Sequence, residues 1–233
     1  MLTGIHLYTT VVFIATVLLT MLLFLKTVKN KTLAFIIPAW LLLTGMFAYK
    51  GFFLDTSTAP PKFILAIGPP LLAIVLLFTS QKGRIFIDKL DIRSLTLISI
   101  VRIPVELVLY WLSIDKAVPV LMTFTGRNFD IIAGITSLII YFVCFDGARV
   151  TNRLLLLVWN IISLGLLLNI VITAVLSAPF SFQQFAFDQP NIAILHFPFI
   201  WLPCFVVMAV LFSHLVSLRR LLLHQNKKNI FTQ

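Results

Sequence analysis

Charge is what this chain of 233 residues has least of. Asp, Glu, Lys and Arg make up 11% of it, and Glu occurs once, at position 106. A soluble domain carries about 25% charged residues, so a water-soluble globular protein is excluded. Disorder requires low hydrophobicity and is excluded by 60% hydrophobic residues and a mean hydropathy of +1.06. Cysteine is scarce too. Cys144 and Cys204 fall in apolar stretches toward opposite membrane faces, so two buried thiols and no disulfide are expected. Catalytic signatures are missing: there is no His-Glu-x-x-His, no Gly-x-Ser-x-Gly and no Gly-rich phosphate loop. No metal or cofactor is expected. His6 and His196 form the one outer pairing that a haem could use. The first apolar stretch has neither a basic leader nor a small-residue cleavage site, so it is expected to stay as a span.

What is abundant is long apolar sequence. A hydrocarbon core of ~30 Å needs about 20 apolar residues per helix. Seven stretches qualify, at 5–25, 32–54, 63–80, 95–114, 129–145, 154–176 and 194–218, separated by charge, Pro or Gly. The expectation is an all-α, polytopic membrane protein with seven transmembrane helices. The domain would span 1–220, with a short basic cytoplasmic tail at 221–233.

The formal net charge of +10 would suggest nucleic acid in a soluble protein, but 13 of the 18 basic residues fall in the odd-numbered loops and the tail. Lys and Arg collect on the cytoplasmic side of spans, so the charge reads as an N-out/C-in topology with attraction to anionic lipid at the cytoplasmic face. Nucleic acid is not an expected partner. The stretch 82–93 alternates basic and apolar residues, as an interfacial segment does.

An internal repeat offers a second level of order. Trp40 and Pro60 lie 119 residues before Trp159 and Pro179, and the same offset places Thr44 on Ser163. Spans 1–3 and 5–7 would be parallel repeats with span 4 as linker, or the matches arise by chance in an apolar alphabet. Seven spans, N-out/C-in, with a 3+1+3 repeat resemble the broad group of SWEET and PQ-loop transporters and microbial rhodopsins. The resemblance implies a site between the halves near the midplane. The last span has no Lys for a retinal Schiff base, and the one Gln189-Pro190 pair is reversed and lies in a loop. Separately, the stretch from Met122 to Asp130 is similar to a motif of uncharacterised bacterial multi-span proteins, which implies no activity. The bacterial inner membrane is the expected location, from the size of the chain and its lack of soluble domains.

Span 4 holds the strongest chemical signal. Arg102 and Glu106 are four residues apart near its middle, a spacing that lets them pair on one helical face. Tyr110, Ser99 and Ser113 share that face, and Pro104 between the charges frees a carbonyl. The pair is either a substrate or proton site or an internal lock. Outside it, Arg127, Asn128 and Asp130 precede span 5. Asn128 suits an N-cap and Asp130 the helix dipole, or the three line an outer vestibule with Gln183, Gln184, Asp188 and His196. Asn160 and Asn169 in span 6 are polar groups for packing or for substrate.

Three functions follow from these residues. One is a small-solute transporter with its central site at Arg102, Glu106 and Tyr110, fed through Arg127, Asn128, Asp130, Asn169 and His196. Another is a non-transporting sensor or assembly subunit that binds a protein partner or a second copy of itself. The third is a lipid-modifying enzyme using Glu106 or Asp130 as acid or base. A water-filled cavity reaching Arg102 would favour the first reading, and a sealed span 4 would favour the lock.

Overall fold

A backbone in lipid has no water to bond its N–H and C=O groups, so apolar runs satisfy themselves as helices. The computed structural model describes residues 2, 4–147 and 149–230, with the side chains of the last helix described through 223. Nine α-helices follow in chain order among the described residues: α1 (Leu7–Val28), α2 (Lys31–Tyr49), α3 (Ile64–Thr79), α4 (Gln81–Ile87), α5 (Ile92–Ile98), α6 (Arg102–Ile114), α7 (Asp130–Val143), α8 (Arg153–Leu176) and α9 (Val207–Ile230). A 3₁₀ turn, Ser99–Val101, fuses α5 and α6 into one apolar run, Ile92–Ile114. A π-helical turn, Leu202–Val206, leads into α9. Phe145–Asp146 and Arg149–Val150 pair as a minimal antiparallel hairpin.

Five of these helices are long and apolar enough to cross a membrane: Leu7–Val28, Lys31–Tyr49, Ile92–Ile114, Arg153–Leu176 and Leu202–Leu223. The count becomes six if α3 and α4, bent by 93° at their junction, make one span. The expected spans 3 and 5 fall short of a full span, and the expected 194–218 begins eight residues later, at Leu202, and runs on to Leu223. The α3–α4 bend is sharp because Gly83 lets the chain fold back on itself; a Cβ there would stand 2.6 Å from the Leu77 Cα. Helix α7 lies within the expected 129–145 but has only 14 residues, about 21 Å at 1.5 Å per residue, too short to count as a full span. The offset of 119 therefore sets a 22-residue α1 against this shorter helix. The expected boundary at 220/221 falls inside α9. Lys227 and Lys228 lie outside the described side chains.

Large apolar side chains point outward all round the bundle: Phe35, Phe142 and Leu154 are among those more than two-thirds exposed. Patches of that size on a soluble monomer would aggregate, whereas lipid accepts them. The core holds Phe13, Leu95, Ile98, Leu112 and Ile200. On α1 the buried Thr16, Thr20 and Thr27 donate to carbonyls one turn back, so their small hydroxyls are already satisfied where α1 packs on its neighbours. The charged breaks read from the sequence hold the caps. Asn30 accepts from Thr32 N at the start of α2, Asp91 from Ser94 N at α5, and Asn152 from Leu155 N at α8.

Polar contacts tie each end of the bundle. At the basic end Arg219 makes a bidentate pair with Asp88 (2.9 and 3.0 Å), Arg220 bonds the Leu90 carbonyl, and Arg93 Nη1 donates to Gly147 O. At the opposite end His6 Nδ1 lies 3.0 Å from Asp115 Oδ1. The long connection between α8 and the π turn folds back over this end. Its Ile192 and Ala193 amides donate to Ala117 O (both 3.1 Å), and Gln189 Nε2 donates to Ser113 O and Val118 O (2.9 and 2.6 Å).

The α2–α3 connection has its own staple, Lys62 Nζ to Asp55 Oδ2 at 2.7 Å. The Lys62 bond, helped by Ser57, lowers the Asp55 carboxyl from 3.8 to about 2. A depressed acid stabilises the folded form above its ordinary value, and that contribution disappears as pH falls through the lowered one. Carboxyl NMR of the protein in detergent should find Asp55 titrating near this low value, and Lys62→Gln should return it toward the ordinary carboxylate range.

Candidate functional site

Arg102 Nη1 donates to Asp130 Oδ1 at 2.7 Å and to the Ser163 carbonyl at 3.1 Å, and Nη2 lies 2.7 Å from His214 Nε2. The expected Arg102–Glu106 pair is therefore not the one that forms. Spacing on one helix permits a pair, but a guanidinium and a carboxylate on α6 compete for partners on every helix around them. Asp130 at the start of α7 reaches Arg102 directly. Glu106 goes instead to Asn128, whose Nδ2 donates to Glu106 Oε1 and to Met122 O.

The hydrogen bonds assign the His214 tautomer. Arginine has only donors, so His214 Nε2 must accept and the ring proton resides on Nδ1. Nδ1 then donates to Asn160 Oδ1 at 2.9 Å, and Asn160 Nδ2 donates to Leu156 O at 2.8 Å. A chain of four polar groups thus runs Asp130–Arg102–His214–Asn160 through α6, α7, α8 and α9. Trp159 packs on the His214 ring with centroids 5.5 Å apart, and its Nε1 donates to Thr136 Oγ1. Ser99 Oγ stands 3.5 Å from His214 Nε2.

Asn128 joins this chain to Glu106. Its Oδ1 accepts from the Asp130 amide at 3.0 Å, so the residue that holds Glu106 also fixes the first residue of α7. This contact does the work expected of an N-cap, one position earlier than a standard cap. Glu106 Oε2 is buried and has no hydrogen-bond partner. Arg102, Ser163 and His214 each sit near the middle of their apolar helices. Helix α7 therefore begins at mid-depth, and the segment from Ala117 to Phe129 descends to it as irregular backbone. Such backbone is tolerated at that depth only where protein buries it, and Met122, Thr123 and Asn128 are each 0–1% exposed.

The close approach of α7 to α6 depends on Gly134, one turn after Asp130. A Cβ at Gly134 would meet Ile103 Cγ1 at 2.9 Å and Arg102 Cβ at 3.2 Å. Asp130, Ala133, Gly134 and Ser137 form the buried stripe of α7. That small-residue spacing is the signal in the sequence that places Asp130 inward rather than in a vestibule.

The other expected site residues lie elsewhere. Tyr110 stacks on Phe124 with centroids 5.0 Å apart. Arg127 is exposed, and its backbone alone is engaged: its N–H donates to Leu121 O at 3.2 Å and its carbonyl accepts from Asn169 Nδ2 at 3.1 Å. His196 Nδ1 bonds the Ile192 carbonyl of its own turn at 2.9 Å, and Gln183 bonds Phe185 O and Ala186 O. The expected outer vestibule of Arg127, Asp130, Gln183 and His196 is not assembled, because Asp130 is drawn inward by Arg102. His6 faces Asp115 rather than His196, so the two rings do not form a ligand pair. His214 and the Ser163 carbonyl are the site members that reasoning from the sequence missed. Among the described residues no group of three or more His, Cys, Asp or Glu could hold a metal ion. No family model, curated protein or solved structure matches the chain.

A buried ion pair loses most when one member is removed, since the survivor is left uncompensated. Arg102→Met and Asp130→Asn should each lower unfolding stability by about 3–5 kcal/mol. The double variant Arg102→Met/Asp130→Leu should recover most of that loss. Denaturation midpoints in detergent read all three.

Proposed function

We propose that this integral membrane protein is a small-solute carrier, oriented N-out/C-in in the cell membrane, and that the structure corresponds to an occluded state. The observation that supports this reading is Glu106 Oε2: a buried carboxyl oxygen without a partner, at mid-depth, beside the Arg102–Asp130 ion pair, whose Arg102 Nε is likewise unpartnered. An intramembrane ionisable group is costly and points to a transport or proton-relay role by default. Arg102 and Asp130 neutralise each other, so Glu106 is the group left to take a proton or a cationic portion of a solute. Its neighbourhood has the features of carrier sites. A helix begins at mid-depth with its N-terminus at the site, and irregular backbone leads into it. The π turn before α9 is a further departure of the kind found at functional sites. The bacterial inner membrane is the location this reading implies.

A second reading rests on the burial of the same cluster. Arg102, Glu106, Asn128, Asp130, Asn160 and His214 are all 4% exposed or less. On this reading the network is a lock, and the protein is a non-transporting subunit. The lipid-modifying reading has weaker support, because Asp130 is taken by Arg102 and Glu106 is shielded from solvent and lipid.

Accessibility separates carrier from lock without knowledge of the solute. Ser163→Cys, in a chain whose two cysteines are replaced by Ala, places a thiol beside Arg102. A carrier that alternates should expose this thiol to a membrane-impermeant maleimide from each side in turn, at a rate that changes with pH in the native site and not in Glu106→Gln. A folded protein that stays unlabelled from both sides would establish the lock.

A further inference from the structure

A separate apolar cleft of about 250 Å³ lies between α1, α2, α3 and α4 and the start of α9. Phe24, Ile37, Trp40, Pro70, Phe205 and Phe212 are among the residues that line it. One polar atom is out of place in this wall. Trp40 Nε1 is buried and has no acceptor. Buried indole N–H groups normally find a partner. Trp201 donates to Leu41 O at 2.8 Å and Trp159 to Thr136 Oγ1 at 3.0 Å. Trp40 is related to Trp159 by the 119-residue offset, and in its place the donor faces apolar surroundings.

Basic residues gather at one end of the helices that line the cleft. Lys26 lies in the last turn of α1, Lys29 at the α1–α2 corner and Lys31 at the first position of α2, at the end lined by Val28 and Leu33. Lys82 and Arg84 stand on α4 beside the lining residue Phe86. All five are exposed, and none pairs with an acidic side chain among the described residues. Asp88, the nearest carboxylate on α4, is held by Arg219 on both oxygens. An apolar slot and an uncompensated basic cluster at one end match two parts of one molecule: acyl chain and anionic headgroup.

We infer that this cleft is a binding site for an anionic phospholipid, with an acyl chain between α2 and α3 against the Trp40 ring and the phosphate among Lys29, Lys31, Lys82 and Arg84. Juxtamembrane cations attract anionic lipid generally. The cleft turns that diffuse attraction into a site by giving the chain a defined place. The 93° bend at Ser80 is what brings the cations of α4 to the same rim as those of the α1–α2 connection.

The test uses the full chain in vesicles of phosphatidylcholine titrated with either phosphatidylglycerol or phosphatidylcholine bearing brominated acyl chains, read by tryptophan fluorescence. The difference between the native protein and Trp40→Phe isolates the Trp40 signal. Its quenching should need about tenfold less brominated phosphatidylglycerol than brominated phosphatidylcholine. Replacing Lys29, Lys31, Lys82 and Arg84 together by Gln, all exposed positions, should bring the two curves together. Ala73→Phe, which fills the cleft, should keep Trp40 emission and abolish the preferential quenching. Coincident curves in the native protein, or a preference that survives the four Gln substitutions, would overturn the site.

Discussion

Arg102 is a permanent cation in the middle of an apolar helix, and the central helices are arranged to surround it. A charge at that depth costs at least about 2.5–3.5 kcal/mol even on the mildest scale, and more when no counter-charge is near. The remedy draws one group from each of three neighbours: a carboxylate from α7, a carbonyl from α8 and an imidazole from α9. Each of these is fixed in turn. Asp130 is placed by the Asn128 turn and by the close packing that Gly134 permits, and His214 is placed by Asn160 and Trp159. Both terminal nitrogens of the guanidinium are engaged, and Nε is left buried without a partner.

That constraint explains the least regular part of the fold. Asp130 can reach Arg102 only if α7 begins at mid-depth, so the chain before it descends through the protein with a single 3₁₀ turn, Val120–Met122, in place of an α-helical ladder. The segment satisfies its polar groups locally. Gly126 N and Asn128 N both donate to Thr123 O, and Asn128 supplies the last contacts to Met122 O, Glu106 and Asp130 N. The connection between α8 and the π turn then covers it from the opposite end. Glu106 sits below this cover with one oxygen bonded and one not.

Much of the architecture was legible before any contact was known. The apolar runs at 5–25, 32–54, 95–114 and 154–176 became α1, α2, α5–α6 and α8 with small shifts, because burial in lipid leaves a long apolar segment one way to satisfy its backbone. Two of the segments that departed are those where local chemistry competes with length. Gly83 and the Ser80 cap turn the chain after α3, and α7 ends after 14 residues, short of a full span. In the site, Arg102, Glu106, Asn128 and Asp130 were all readable as charges and amides out of place in apolar sequence. Arg127, Asn169, Tyr110 and His196 share that polarity and lie outside the network. Polarity alone does not say which way a side chain faces.

The sequence by itself therefore determined the solvent of this protein, the helical form of most of its spans and the short set of residues whose burial demands an explanation. Composition and run length settle those points because transfer of apolar and charged groups between water and hydrocarbon depends on the groups and hardly on their neighbours. Only the tertiary structure decided who pairs with whom. Arg102 takes Asp130, 28 residues away, in place of Glu106, four residues away, since a partner from another helix can approach the guanidinium end-on while its own helix holds Glu106 to one side. His214 enters the site for the same reason. Its position in the sequence marks it as an ordinary histidine in a span, and its role exists only because α9 packs against α5 and α8.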